Sequence, residues 1–169
     1  MEEKNFSSQD YAGLLGAILT RKAEVRFKAN GFSMSPFIKD GDIITVSPLN
    51  DLSPRVGDIV AFNNEKTCKL AVHRIVARKT GDGVPYFFIK GDNVARGAFE
   101  GGPLKNILGR VTRIERRGRR VSAGLGPERR LIAFLSRTRI LSVLFLPWRF
   151  LSAYFKGKMM AAERKTSGR

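Results

Sequence analysis

The stretch Gly31-Phe32-Ser33-Met34-Ser35-Pro36 places a serine in a predicted tight turn. Asn30-Gly31 favours a positive φ, and Pro36 prevents a helix from starting directly behind the serine. Such a turn lifts the serine hydroxyl clear of its own backbone. Ser33 is therefore a candidate nucleophile, and a serine that is merely solvated or that caps the turn is the alternative.

Two later stretches supply groups that could assist this serine. Ala71-Val72-His73-Arg74-Ile75 holds the only histidine of the chain, and Lys90-Gly91-Asp92-Asn93 holds an aspartate in a turn-forming sequence. A serine, an imidazole and a carboxylate are the three parts of assisted nucleophilic attack. A buried structural histidine and an aspartate that caps its own turn are the alternatives. Residue types alone do not supply the geometry that would decide between them.

These stretches are part of an ordered series of motifs that resembles the signal peptidase I family. Its relatives, the LexA-type self-cleaving repressors, carry a similar Gly-x-Ser-Met motif. The series runs in the family order between about Val25 and Ile114: Gly31–Ile38 with Gly41–Ile44, Gly57–Phe62, Val72–Val76 and Lys90–Asn93. Bacterial signal peptidases and the repressors use a lysine as general base, whereas a histidine stands there in the archaeal, endoplasmic-reticulum and SipW-like branch. The resemblance therefore implies a Ser-His serine endopeptidase that cleaves a peptide or preprotein bond and needs no cofactor and no metal.

The resemblance also assigns catalytic roles to individual residues. Ser33 would be the nucleophile and His73 the general base, while Asp92 would orient the imidazole. Glu100 is the next candidate for that third role, and the sequence does not decide between the two acids. Lys69, on the same strand face as His73, is the alternative base, although a solvated lysine at the strand edge is the simpler interpretation.

A second group of residues is assigned to substrate and oxyanion binding. The Ser33 amide would stabilise the oxyanion, with Asn30 as a second donor, because Gly31 stands where many bacterial signal peptidases have a hydroxyl. Met34, Phe37 and Ala71 would line the substrate cleft, and packing in the core is the alternative for Met34 and Phe37. The missing hydroxyl keeps open a catalytically weak or inactive relative that only grips an extended peptide.

The pattern between Ala23 and Arg120 predicts a mainly β fold. Short runs rich in β-branched and aromatic residues alternate with Gly, Pro, Asn and Asp, and none of the connections resembles a βαβ crossover. We expect a coiled, antiparallel, barrel-like sheet of the signal-peptidase/LexA type over residues 23–121. Helical spacing of apolar residues after Ser7 predicts a short N-terminal helix within residues 1–22. This leader is too short to carry the DNA-binding domain of a LexA-type regulator, which remains a further alternative.

Positive charge is concentrated in the C-terminal third. The chain has 169 residues and a net charge of +16, and residues 111–169, with 15 Lys/Arg and 3 Asp/Glu, contribute +12 of it. The sequence predicts a linker over 122–128, a basic amphipathic helical segment over 129–158 and a disordered tail over 159–169. The single cysteine, Cys68, excludes an internal disulfide.

This charge predicts an anionic partner for residues 129–158. A membrane surface is one interpretation, and packing on the chain's own domain or on a partner subunit is the other. Nucleic acid is less favoured, because aliphatic residues dilute the arginines. The longest uncharged run, 140–148, is too short for a membrane span. We expect a cytoplasmic protein, and one peripheral to the inner face of the membrane if residues 129–158 are an anchor. Every candidate catalytic residue precedes Gly124, so a chain that ends there is expected to remain active. The oligomeric state is left open.

Overall fold

The computed structural model describes residues 8–49, 53–64, 69–94, 99–138 and 140. The fold is mainly β, as predicted, with eight strands in one antiparallel sheet and two α-helices. The elements in chain order are α1 (Ser8–Thr20), β1 (Val25–Lys28), β2 (Ile43–Ser47), β3 (Ile59–Asn64), β4 (Lys69–Gly81), β5 (Val84–Lys90), β6 (Glu100–Pro103), a 3-10 turn (Leu104–Asn106), β7 (Ile107–Arg116), β8 (Arg119–Val121) and α2 (Arg129–Arg137).

The strands follow the order β1-β2-β7-β3-β4-β5-β6, and β8 pairs with the far end of β7. Each strand pair is antiparallel, as the absence of βαβ crossovers in the sequence predicts. The sheet curls so that its edge strand β1 and the first half of β4 line the same cleft. The fold thus brings together the loop after β1, which carries Ser33, and the strand that carries His73.

Two apolar clusters hold the curled sheet together. In the first, α1 covers one face of the sheet by burying Leu15 and Leu19 against Ile44, Val46 and Ile114. The second lies on β3, β4 and β5 and is centred on Phe62, Ile75 and Phe87. Alternation along β4 sends Leu70 and Val72 to the first cluster and Ala71 and Ile75 to the second, as its period-two pattern predicts.

A partly buried ion pair fixes the turn that follows the serine loop. Asp42 accepts a hydrogen bond from the Lys39 amide at 2.8 Å and forms an ion pair with Arg116 on β7 at 2.7 Å. Burial raises the pKa of the Asp42 carboxyl, but the hydrogen bonds from Arg116 and the Lys39 amide outweigh burial, so the net pKa is lowered. The pair therefore connects the end of the serine loop to β7.

The segment that the sequence predicts to be a linker packs onto the domain. Gly124 is buried, and Glu128 accepts hydrogen bonds from the amides of Gly124 and Gly126. The backbone amide of Glu128 itself and those of Gly124 and Gly126 lower the pKa of the Glu128 carboxyl. Helix α2 then buries Ile132, Ala133 and Ser136, and its close neighbour in the sheet is β4. The beginning of the predicted segment 129–158 therefore contacts its own domain. Residues 141–158 and the predicted tail 159–169 lie outside the described residues.

Candidate active site

The serine loop has the predicted turn geometry. Gly31 adopts a φ of +93°, and its amide donates to Asp40 at 2.8 Å. The carbonyl of Phe32 accepts the amide of Ser35 at 3.1 Å, which closes the turn around Ser33. Ser33 is half-buried and faces the cleft. The turn therefore presents the Ser33 hydroxyl to the cleft.

His73 lies next to this hydroxyl. Its Nε2 is 3.0 Å from Ser33 Oγ, and its side chain is 13% exposed. The strand fixes the position of the ring, because His73 pairs with Val60 in the interior of the sheet and its ring contacts that of Phe62. A hydroxyl and an imidazole nitrogen at hydrogen-bond distance are the geometry that proton transfer requires.

The second nitrogen of the imidazole is held by Glu100. The Glu100 Oε2 atom lies 2.6 Å from His73 Nδ1, so a carboxylate, an imidazole and a serine hydroxyl form one continuous chain of contacts. Glu100 is the first residue of β6, where it pairs with Ile89 of β5. A carboxylate at Nδ1 favours the tautomer with its proton there, which leaves Nε2 free to accept the serine proton.

Asp92 occupies a different place from the one assigned to it by sequence. Both of its carboxylate oxygens accept hydrogen bonds from Arg74, at 2.8–3.1 Å, and the two side chains have no exposed surface. Burial raises the pKa of Asp92 against the opposing attraction of Arg74. Because Arg74 holds the Asp92 carboxylate, Glu100 rather than Asp92 is the acid that contacts the imidazole.

The Arg74–Asp92 pair joins the site to the C-terminal segment. Arg74 also donates to the carbonyls of Gly57 and Gly124 at 2.8 and 2.9 Å, and its guanidinium lies 5.2 Å from the ring centre of Phe37. Two residues before Asp92, buried Lys90 donates to the carbonyl of Ser136 near the end of α2 at 2.7 Å. The carbonyl end of a helix favours such a cation. The loop 90–93 is therefore held from behind by residues 124–136.

Gly91 is required for the contact between serine and histidine. A Cβ atom added there would lie 2.8 Å from the Ser33 carbonyl oxygen and 3.2 Å from His73 Nε2. Such distances are shorter than a packed structure tolerates, so a side chain would push the loop away from both groups. The glycine thus lets the loop 90–93 touch the back of the catalytic pair.

The cleft beside Ser33 has a volume of about 740 Å³ and is mostly apolar. Three of the residues assigned to substrate or oxyanion binding, Asn30, Met34 and Ala71, lie along it. Phe37 does not line it, because its ring packs behind the loop against Gly124 and Arg74. Phe37 therefore packs within the domain, away from the cleft, whereas Met34, 4% exposed, belongs to both the cleft wall and the first cluster.

The alternative base lies away from the serine. Lys69 is exposed and stands four residues before His73 on β4, a separation of about 13 Å along a strand. Among the described residues, no group of three His, Cys, Asp or Glu side chains is arranged to hold a metal ion.

The sequence motifs assign no role to Arg74. A signal is nevertheless present, since an arginine within the apolar run from Ala71 to Val76 predicts a buried charge that needs an acidic partner. His73 and Arg74 each require an acid, and the candidates are Asp92 and Glu100. The structure pairs Arg74 with Asp92 and His73 with Glu100, whereas the resemblance assigns Asp92 to His73.

A serine, an imidazole and a carboxylate in contact beside an apolar cleft, on an antiparallel β domain, are features that occur in peptidases. The sequence model of the Peptidase S24-like family matches residues 3–93, which is more than half of the chain, so the chain belongs to this family. This match contains Ser33, His73 and Asp92 and ends before Glu100 and α2. No curated protein is similar enough to the chain to count as a match. No helix in the described part of the chain is long and apolar enough to cross a membrane.

Proposed function

We propose that this chain is a serine endopeptidase that cleaves an extended peptide or protein segment, with Ser33 as nucleophile and His73 as general base. The observation that carries the proposal is the unbroken contact from Glu100 through His73 to Ser33 Oγ, at 2.6 and 3.0 Å. The alignment lies at the edge of a cleft large enough for several residues of a peptide. This arrangement is one of the Ser-His-acid type, which corresponds to the signal-peptidase-like branch with a histidine base.

In the acylation step, His73 Nε2 takes the proton of Ser33 as Oγ forms a bond to the scissile carbonyl carbon. The carbonyl oxygen becomes an oxyanion, and the imidazolium is stabilised by the carboxylate of Glu100. When the C–N bond breaks, the imidazolium returns its proton to the leaving amine. A water molecule then attacks the acyl-enzyme with the same base, which releases the acid product and restores Ser33.

The cleft favours a substrate that binds as an extended chain. Strand β1 lies at the end of the strand order and pairs with β2 alone among the described strands, so its other edge is available along the cleft. An edge strand of this kind binds a peptide through main-chain hydrogen bonds. Leu14 and Ile18 of α1 and Val72 of β4 supply apolar walls. We expect apolar side chains near the scissile bond, since the charged residues of the cleft lining, Arg26 and Lys28, are exposed.

We propose an anionic membrane surface as a further partner, bound by residues 129–158. The support is the net charge of +12 on residues 111–169 and the outer side of α2, where Phe134 is 59% exposed next to exposed Arg130 and Arg137. Each cation near an anionic surface contributes about 1 kcal/mol, an attraction that salt screens. The chain should therefore sediment with phosphatidylserine vesicles but not with phosphatidylcholine vesicles, and Phe134→Ser should weaken binding. Equal binding to both vesicle types would contradict this proposal.

The proposed activity is tested by a fluorophosphonate probe that labels activated serines, together with a library of apolar peptides. Wild-type protein should be labelled at Ser33, and Ser33→Ala should abolish both labelling and cleavage without loss of the fold. Ser35→Ala is the matched control, since it removes the second hydroxyl of the same loop. Peptide binding without labelling or cleavage would instead identify an inactive relative, and a Ser33→Ala protein that keeps a tenth of wild-type turnover would exclude Ser33 as nucleophile.

A further inference from the structure

The direction of the Ser33 amide depends on the orientation of one peptide unit, the one that joins Phe32 to Ser33. The Phe32 carbonyl and the Ser33 N–H belong to this unit, and they point in opposite directions because the bond is trans; Ser35–Pro36 is the cis bond of the described chain. Whatever fixes the Phe32 carbonyl therefore also aims the Ser33 N–H. Under the proposed function this N–H is the principal donor to the oxyanion.

Asn93 holds this peptide unit from the side opposite to the N–H. Its side-chain amide donates to the Phe32 carbonyl at 3.1 Å, and its backbone amide donates to the Ser33 carbonyl at 2.8 Å. The carbonyls on either side of the Ser33 nitrogen are thus both bonded to one residue. Within the described part of the chain, no backbone carbonyl accepts the Ser33 N–H, which leaves that donor available.

We propose that Asn93 is the positioning residue of the oxyanion hole: its side-chain amide locks the Phe32–Ser33 peptide unit so that the Ser33 N–H faces the substrate carbonyl. This inference rests on the proposed function. It also explains how a loop with glycine at position 31 supplies a preorganised donor without a side-chain hydroxyl. Asn93 itself is held in place because the preceding residue, Asp92, is buried in the ion pair with Arg74.

Replacement of Asn93 by Asp tests the proposal, because the two side chains have the same shape and opposite hydrogen-bonding character. A carboxylate repels the Phe32 carbonyl and attracts the Ser33 N–H, so Asn93→Asp should turn the peptide unit over and remove the donor. We expect kcat to fall about 100-fold, the effect of losing one oxyanion donor, with KM unchanged. Asn93→Ala should cost less, about tenfold, since the Ser35 amide still holds the Phe32 carbonyl.

The pH–rate profile separates this role from others. An oxyanion defect lowers the rate equally at all pH values, because His73 and Glu100 keep their contact. Asn63→Asp is the matched control, since Asn63 is exposed on β3 and its replacement adds the same charge. A kcat within twofold of wild type for Asn93→Asp, a pH profile displaced in the uncharged variant Asn93→Ala, or a rise in KM that accounts for the loss would each overturn the proposal.

A structural measurement keeps this inference separate from the proposed activity. Crystal structures of the wild-type protein and Asn93→Asp would show the orientation of the Phe32–Ser33 peptide unit directly. An inverted unit in the variant supports the positioning role even if the wild-type protein cleaves no peptide, an outcome that would count against the activity alone. An unchanged unit in Asn93→Asp would overturn the inference whatever the activity of the wild-type protein.

Discussion

Glu100 Oε2 lies 2.6 Å from Nδ1 of His73, although 27 residues separate them in the chain. The contact depends on the pairing of β6 with β5, which brings Glu100 to Ile89, one residue before Lys90 and the loop 90–93. Glycines at 101 and 102 allow this close pairing, since a Cβ at Gly101 would fall 2.2 Å from the Phe87 carbonyl oxygen. The acid of the proposed catalytic site is therefore positioned by the four-residue strand β6.

The first prediction separates the two acids. Glu100→Gln should lower kcat about 100-fold or more, because a neutral amide neither orients the imidazole nor stabilises the imidazolium. Asp92→Asn should instead lower stability, measured by urea unfolding, because it leaves Arg74 buried without a counter-charge. A Glu100→Gln enzyme with wild-type kcat would exclude Glu100 from the catalytic site.

The second prediction concerns the base. His73→Ala should inactivate the enzyme, while Lys69→Ala should stay within about twofold of wild type, since the exposed lysine makes no contact that proton transfer could use. Both variants are compared on the same peptide and by the rate of phosphonate labelling. The reverse pattern would assign this chain to the Ser-Lys peptidases.

The third prediction uses the close approach of the loop to the serine. Gly91→Ala places a methyl group 2.8 Å from the Ser33 carbonyl oxygen and 3.2 Å from His73 Nε2, so it should separate the two catalytic groups. Because displacement by 1 Å costs about 100-fold in rate, kcat should fall by about that factor. Gly83→Ala, in the open turn between β4 and β5, controls for the loss of a glycine, although its φ of +76° adds backbone strain. A Gly91→Ala enzyme with wild-type kcat would show that the loop 90–93 can move without separating Ser33 from His73.

Much of this site was predictable from sequence because its parts are local. Gly31 and Pro36 determine the serine turn, and alternation along β4 places His73 and Ala71 on a common face. The choice between Asp92 and Glu100 was not predictable, because β6 is a short strand with two glycines and carries no periodic apolar signal, and its pairing with β5 is a tertiary contact. The contact between Phe37 and Gly124 was not predictable for the same reason. It joins the serine loop to a segment that has the composition of a linker.

The fourth prediction concerns stability at low pH. The pKa of Asp42 is lowered in the folded protein. Its ion pair with Arg116 therefore contributes fully above about pH 3.9, the ordinary pKa of an aspartate. This contribution is lost as the pH falls through the lower pKa of the folded state. Arg116→Gln should therefore reduce the free energy of unfolding by about 2 kcal/mol at pH 7, and the difference from wild type should shrink below pH 3.9. Arg113→Gln is the control, because Arg113 is 54% exposed and 3.8 Å from its acid. A constant difference across this range would show that Asp42 does not titrate with folding.

The last prediction compares two neighbouring residues on opposite sides of α2. Ile132 is 7% exposed and faces the domain, whereas Leu131 is 60% exposed, and their replacement by alanine removes the same number of atoms. Ile132→Ala should cost about 2–4 kcal/mol of stability and slow phosphonate labelling of Ser33, because α2 holds Lys90 through the Ser136 carbonyl. Leu131→Ala should change neither measurement.

Truncation extends this comparison to the whole C-terminal segment. A chain that ends at Gly124 lacks α2, the Glu128 carboxylate that accepts from the Gly124 amide, and the carbonyl partner of Lys90. We therefore expect it to lose stability and peptidase activity together, contrary to the expectation from the position of the catalytic residues in the sequence. Hydrogen exchange at the Asn93 amide, which donates to the Ser33 carbonyl, should accelerate in the truncated chain and in Ile132→Ala. Wild-type labelling by the truncated chain would show instead that the loop 90–93 holds the serine without support from α2.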